Sequence, residues 1–126
     1  MLQIVLVFLG GGLGSVARHG VNVTAGRLGA DFPWGTFIVN VVGSLVMGLI
    51  AGWLAFRAGE SWSQHARLLL TTGFLGGFTT FSAFSLDTAT LWERGAGTTA
   101  AIYVFASVGL SLAALFAGLW VVRTIS

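Results

Sequence analysis

Residues 76–85 read Gly-Gly-Phe-Thr-Thr-Phe-Ser-Ala-Phe-Ser, and they sit inside an apolar run long enough to cross a bilayer. Their side chains offer two kinds of chemistry. The hydroxyls of Thr79, Thr80, Ser82 and Ser85 can replace part of an ion's hydration shell. The rings of Phe81 and Phe84, three apart, are electron-rich on the face and electropositive at the edge, so an edge turned toward a path favours a small anion. Gly76 and Gly77 free the backbone where regular helix is expected. We therefore expect the helix to be interrupted near Gly76–Thr80. The first half then ends in carbonyl oxygens and the second begins with free N–H groups. Thr79 or Thr80 would cap the second half. Carbonyl oxygens at mid-membrane are good ligands for a hard monovalent cation such as sodium. The plainer alternative is that the two phenylalanines simply pack.

The same kinds of group recur elsewhere. Thr36, Asn40 and Ser44 are spaced by four, as are Tyr103, Ser107 and Ser111, so each set shares one helix face. Such stripes either hydrogen-bond between helices, for about 0.6–2 kcal/mol each, or wall a permeation path. Asp87 is the only acid within an expected span, suited to a structural hydrogen bond or to a pore mouth. Arg18 either snorkels to the membrane surface or makes an electropositive vestibule for anions, and His19 beside it suits an interfacial position. No nucleophile–base pair and no ligand cluster for a catalytic metal is visible, so the chain does not read as an enzyme. The residues point to a passive, narrow, anion-favouring pore.

The elements that carry these residues are membrane helices. The chain has 126 residues, 56% hydrophobic and 8% charged, where a soluble domain carries about 25% charged residues. Cysteine is absent, which excludes disulfides and thiolate metal sites. Six arginines face four acids with no basic cluster, so nucleic acid is not an expected partner. Four apolar segments lie at about 2–24, 34–56, 66–92 and 98–122, each near the roughly 20 residues a span requires, and the connections are short. Residues 1–126 thus form a single four-helix membrane domain. No basic residue precedes the first apolar run, so we expect a retained helix rather than a cleaved signal. Gly10 and Gly14 have the spacing of a close-packing face. Pro33 and Trp34 suit a helix start at the membrane surface, and Trp53, Trp62, Trp92 and Trp120 also fall near span ends.

Arg57, Arg67 and Arg123 fall on one side of the membrane; Arg27 and Arg94 fall on the other, with Arg18 if it snorkels. This near-balance sets no orientation by the positive-inside rule. Two copies inserted oppositely would build from two chains what inverted repeats build within one. The expected fold is therefore an all-α membrane protein with four transmembrane helices, a broken third helix and an antiparallel dual-topology homodimer.

Residues 73–85 closely resemble the third-helix signature of the Fluc (CrcB-type) fluoride channels. Gly35-Thr36 with Asn40, Gly14 with Arg18, and Tyr103 with Ser107 and Ser111 resemble that family's motifs on the other three helices. Ala83, Asp87 and His19 depart from the residues usual there. The resemblance implies passive fluoride export from the bacterial cytoplasm, across the inner membrane, through two pores per antiparallel homodimer. It implies that Phe81 and Phe84 line the pores with Asn40 alongside. It also implies that backbone carbonyls of Gly76 and Thr79 from both subunits hold a central structural sodium ion. The alternative weighed against it is a small dual-topology, proton-coupled multidrug exporter, which needs a membrane-embedded carboxylate.

Overall fold

The computed structural model describes residues 1–29, 31–56 and 64–125. Arg57, Trp62 and most of the second connection lie outside them. Helix α1 covers Leu2–Ala25 and is followed by a short 3-10 turn, Gly26–Leu28; α2 covers Trp34–Phe56. The third crossing opens with one helical turn at residues 64–66 and continues as a π-helical segment, Arg67–Leu75, which runs into one α-turn, α3, Gly76–Phe78. Helix α4 covers Phe81–Glu93 and α5 covers Gly97–Ile125. Four stretches are long and apolar enough to span a membrane: Leu2–Leu28, Trp34–Ala55, Gln64–Glu93 and Gly97–Ile125. These agree with the segments read from hydropathy to within a few residues.

Helix α4 has 13 residues, about 20 Å of rise, against a hydrocarbon core of about 30 Å. The third crossing therefore needs the π segment and α3 as well as α4. The π segment is wide because its N–H groups reach back further than in an α-helix; that of Gly76 bonds to the carbonyl of Thr71.

Glycines decide how the helices pack. A Cβ on Gly10 or Gly14 would run into backbone atoms of Leu69 or Phe74, and one on Gly77 into the Gly11 carbonyl. Helix α1 thus lies backbone against backbone on the first half of the third crossing, with Gly10 facing Gly73, Gly11 facing Gly77 and Gly14 against the Phe74 backbone. Gly48 and Gly118 do the same between α2 and α5. Where lipid is as apolar as the side chains, close approach through small residues supplies much of the association. Two buried clusters result. Val39, Leu75 and Phe78 form one, and Phe84, Leu91, Ala100 and Tyr103 form the other.

Helix α4 stops at a Schellman motif. The Gly95 N–H bonds to the Trp92 carbonyl at 3.0 Å and the Ala96 N–H to that of Leu91 at 2.9 Å. This turn requires the left-handed backbone seen at Gly95, φ +81°, and it turns the chain directly into α5.

Candidate functional site

Helical backbone ends at Phe78 and resumes at Phe81. Thr79 (φ −79°, ψ 157°) and Thr80 (φ −153°, ψ 119°) between them are extended. The departure from helix falls on these two β-branched residues and not on the glycines expected to supply it. Gly76 is helical, φ −62°, ψ −37°, and Gly77 is kept small by the Gly11 backbone.

The N–H and hydroxyl of Thr79 and the N–H, carbonyl and hydroxyl of Thr80 each have a definite partner. The Thr79 N–H and hydroxyl both donate to the Leu75 carbonyl, at 2.9 and 2.8 Å, and close the first half. The Thr80 hydroxyl accepts from the Ala83 N–H at 3.2 Å, an N-cap for α4. Asn40, from the second turn of α2, bridges the gap. Its Nδ2 donates to the Thr80 carbonyl at 3.0 Å and its Oδ1 accepts from the Thr80 N–H at 2.8 Å. The amide thus pairs with Thr80 much as a neighbouring strand would, and one of its two N–H bonds remains unspent. Ser15 reaches the Gly77 carbonyl from α1 at 3.5 Å.

Beside this junction lies a groove of about 300 Å³. Helix α2 contributes Asn40, Gly43, Ser44 and Met47; Thr79, Thr80, Phe81 and Phe84 form a second wall; Ser107, Val108, Ser111 and Leu115 of α5 form the third. The Ser107 and Ser111 hydroxyl oxygens are buried and have no hydrogen-bond partner. Buried hydroxyls are normally satisfied, and leaving one unpaired costs about 1–3 kcal/mol. Together with the spare amide N–H of Asn40, they make three unspent donors in the groove's lining.

Phe81 is 76% exposed and Phe84 only 8%. Their ring centroids are 5.5 Å apart at 46°, and Phe84 leans on Tyr103 at 5.1 Å. Tyr103 is fully buried and donates its hydroxyl to Asp87 Oδ2 at 3.2 Å.

Of the residues singled out in the sequence, the groove gathers Asn40, Ser44, Phe81, Phe84, Ser107 and Ser111. Thr36 and Tyr103 are buried outside its lining, and Ser82 and Ser85 are exposed. The Ser85 hydroxyl donates back to the Phe81 carbonyl at 3.0 Å, while that of Ser82 pairs with the Thr80 hydroxyl at 3.2 Å. Arg18 is half-buried and His19 exposed, both away from the groove. Among the described residues no cluster of three histidines or acids forms a metal site. Gly43 and Met47 line the groove without any polar signal that would have found them. The pairing of Asn40 with Thr80, forty positions on, leaves no local trace either.

Residues 5–119 match the family described as CrcB-like protein, Camphor Resistance (CrcB). The chain belongs to the CrcB family. A relative from Rhodopseudomonas palustris (strain BisB5) is 62% identical over 126 residues, covering 99% of this chain and all of its own length. One from Paracoccus denitrificans (strain Pd 1222) is 62% identical over 117 residues, 93% of this chain and 91% of its own. A third, from Methylobacterium nodulans, is 55% identical over 123 residues, 98% of both chains. Each of the three is named "Fluoride-specific ion channel FluC". CrcB membership and four apolar spans make the chain a multi-pass protein of the bacterial inner membrane. Within this CrcB chain the groove lies between the second, third and fourth crossings.

Proposed function

We propose that this chain is a fluoride-selective channel that lets fluoride leave the cytoplasm down its gradient and so gives fluoride resistance. The observation that carries the reading is the groove, where the Ser107 and Ser111 hydroxyls are buried without a partner and Asn40 holds a spare N–H. Fluoride is small and tightly hydrated, so it must exchange water for donors, and these donors have no other partner. The exposed Phe81 ring and the Phe84 ring beside it would add electropositive edges. Thr36, Ser82, Ser85 and Tyr103 extend the polar track beyond the groove. Arg18 and Asp87 take vestibule or structural positions. The names of relatives more than half identical over nearly the whole chain support fluoride as the ion.

In this reading the third crossing is a broken membrane helix, and two oppositely inserted copies form a homodimer with two pores. Gly76 is exposed in the single chain, and a backbone polar group at mid-membrane needs cover from protein. A partner subunit would supply it. The residues also fit a structural sodium ion on the dimer axis. In a continuous helix the Thr80 N–H would bond the Gly76 carbonyl, but it goes to Asn40. The Ala83 N–H would bond the Thr79 carbonyl, but it goes to the Thr80 hydroxyl. Two hard oxygens per chain thereby lose their helical donors, which is the chemistry a sodium ion takes. When bound, the ion would neutralise converging carbonyl dipoles and tie the subunits together.

Nothing in the fold or the named relatives favours the drug exporter. The test is ion efflux from liposomes holding the purified protein. Fast fluoride efflux with negligible chloride efflux is expected, and Phe81→Ile should slow it without disturbing assembly. Proton-coupled uptake of an organic cation with no fluoride flux would overturn the reading.

A further inference from the structure

Phe32, in the connection between α1 and α2, reaches into the membrane domain. Its ring meets that of Tyr103 edge-on, with centroids 5.4 Å apart at 90°. Tyr103 is held on another side by Phe84, at 5.1 Å, and Phe84 lines the groove. Phe32 is in turn fixed from outside. Trp34 lies 4.6 Å away and Phe37 5.5 Å away, and the Phe32 carbonyl accepts the Trp34 N–H at 2.8 Å. An unbroken series of ring contacts thus runs from Phe81 through Phe84 and Tyr103 to a residue in the connection.

We infer that Phe32 is a positioning residue for the ion path. It clamps the Tyr103 ring, and so fixes both the hydroxyl that bonds Asp87 and the angle of Phe84 at the groove. This rests on the proposed channel function. The competing role for Phe32 is a surface anchor in the aromatic belt, where any apolar or interfacial side chain serves. The clamp instead requires a ring meeting Tyr103 edge-on, a contact whose energy depends on geometry as well as on area.

Tyr103 is the only tyrosine in the chain, so protein labelled with 3-fluorotyrosine carries a 19F signal from this residue alone. Phe32→Leu should shift or broaden that signal and slow fluoride efflux roughly two- to tenfold, the range one aromatic contact commands. Phe32→Tyr should restore efflux, which alone is read in that variant because it adds a second labelled ring. In a Tyr103→Ala background, Phe32→Leu should add little further slowing. The inference is overturned by an unmoved 19F signal, by a moved signal with unchanged efflux, or by fully additive losses in the double variant. If the unaltered protein passes no fluoride, the channel reading fails and the role in the ion path falls with it. A shifted 19F signal would then still report the ring contact, so the two failures are distinguishable.

Discussion

Replacing Asn40 by alanine removes both hydrogen bonds that span the gap between α3 and α4, to the carbonyl and the N–H of Thr80. Thr80 is 9% exposed, so neither group finds water easily. Each orphaned group costs about 1–3 kcal/mol, which places the loss at about 2–6 kcal/mol. The cavity left by the amide lowers stability further only if the groove fails to relax around it. The assay is an unfolding titration with a denaturing detergent in mixed micelles, comparing Asn40→Ala with the unaltered chain. Asn40→Asp sharpens the measurement. An aspartate still accepts from the Thr80 N–H but, when ionised, cannot donate to its carbonyl and sets a charge at membrane depth, so Asn40→Asp should be no more stable than Asn40→Ala. Its negative charge should also abolish anion flux. A loss below about 1 kcal/mol for Asn40→Ala would refute the reasoning, because no arrangement that leaves both Thr80 groups unpaired is so cheap.

Ser107→Ala and Ser111→Ala should behave in the opposite way. Their hydroxyls have no partner to lose, so stability should stay level or rise by up to about 1 kcal/mol, while fluoride efflux slows. The same titration and liposome assay read both effects, and a clear loss of stability would show that these hydroxyls bond within the protein. Gly14→Ala should cost about 1–3 kcal/mol, the price of overpacking, since its Cβ meets the Phe74 backbone and no flexible side chain can yield. Gly12→Ala, two residues away with nothing within 4 Å of its Cβ, should be neutral or gain up to about 1 kcal/mol from the better helix former.

What the sequence makes legible follows from how far each signal reaches along the chain. The spans are plain because a run of about 20 apolar residues has one use. Gly10 and Gly14 declare a packing face by their spacing alone, and both lie against backbone of the third crossing. The local chemistry of the third crossing misled on one point. Adjacent glycines signal a free backbone, yet Gly76 and Gly77 stay helical, and Gly77 is a glycine because Gly11 lies against it. The extended conformation falls on Thr79 and Thr80, where β-branching favours it and where both hydroxyls find backbone partners. Spacing by four showed that Asn40 and Ser44 share a face, as do Ser107 and Ser111. It could not show that Thr36 and Tyr103 fall outside the groove, because that depends on how α2 and α5 cross. Phe32 was illegible for the same reason, since its partner Tyr103 is seventy-one positions away.

The placement of Asn40 ties the repair of the backbone to the groove. Extended backbone in a membrane needs a donor and an acceptor brought to it from elsewhere in the protein. Among short side chains only asparagine offers a carbonyl and an amide N–H side by side, so one residue can serve both groups of Thr80. Serine or threonine has a single oxygen, an ionised aspartate lacks the donor, and glutamine sets the same amide one methylene further from α2. The repair leaves a second amide N–H that aspartate and serine could not offer at this position. The residue that makes the gap affordable is then also a donor at the groove, and no substitution at Asn40 changes flux without changing stability. The two serines of α5 separate these effects, because nothing in the fold depends on their hydroxyls. If efflux slows in Ser107→Ala and Ser111→Ala at unchanged stability, the donors of the groove act on the ion. If only Asn40 substitutions matter, the groove is a by-product of mending the backbone, and the ion must take another route.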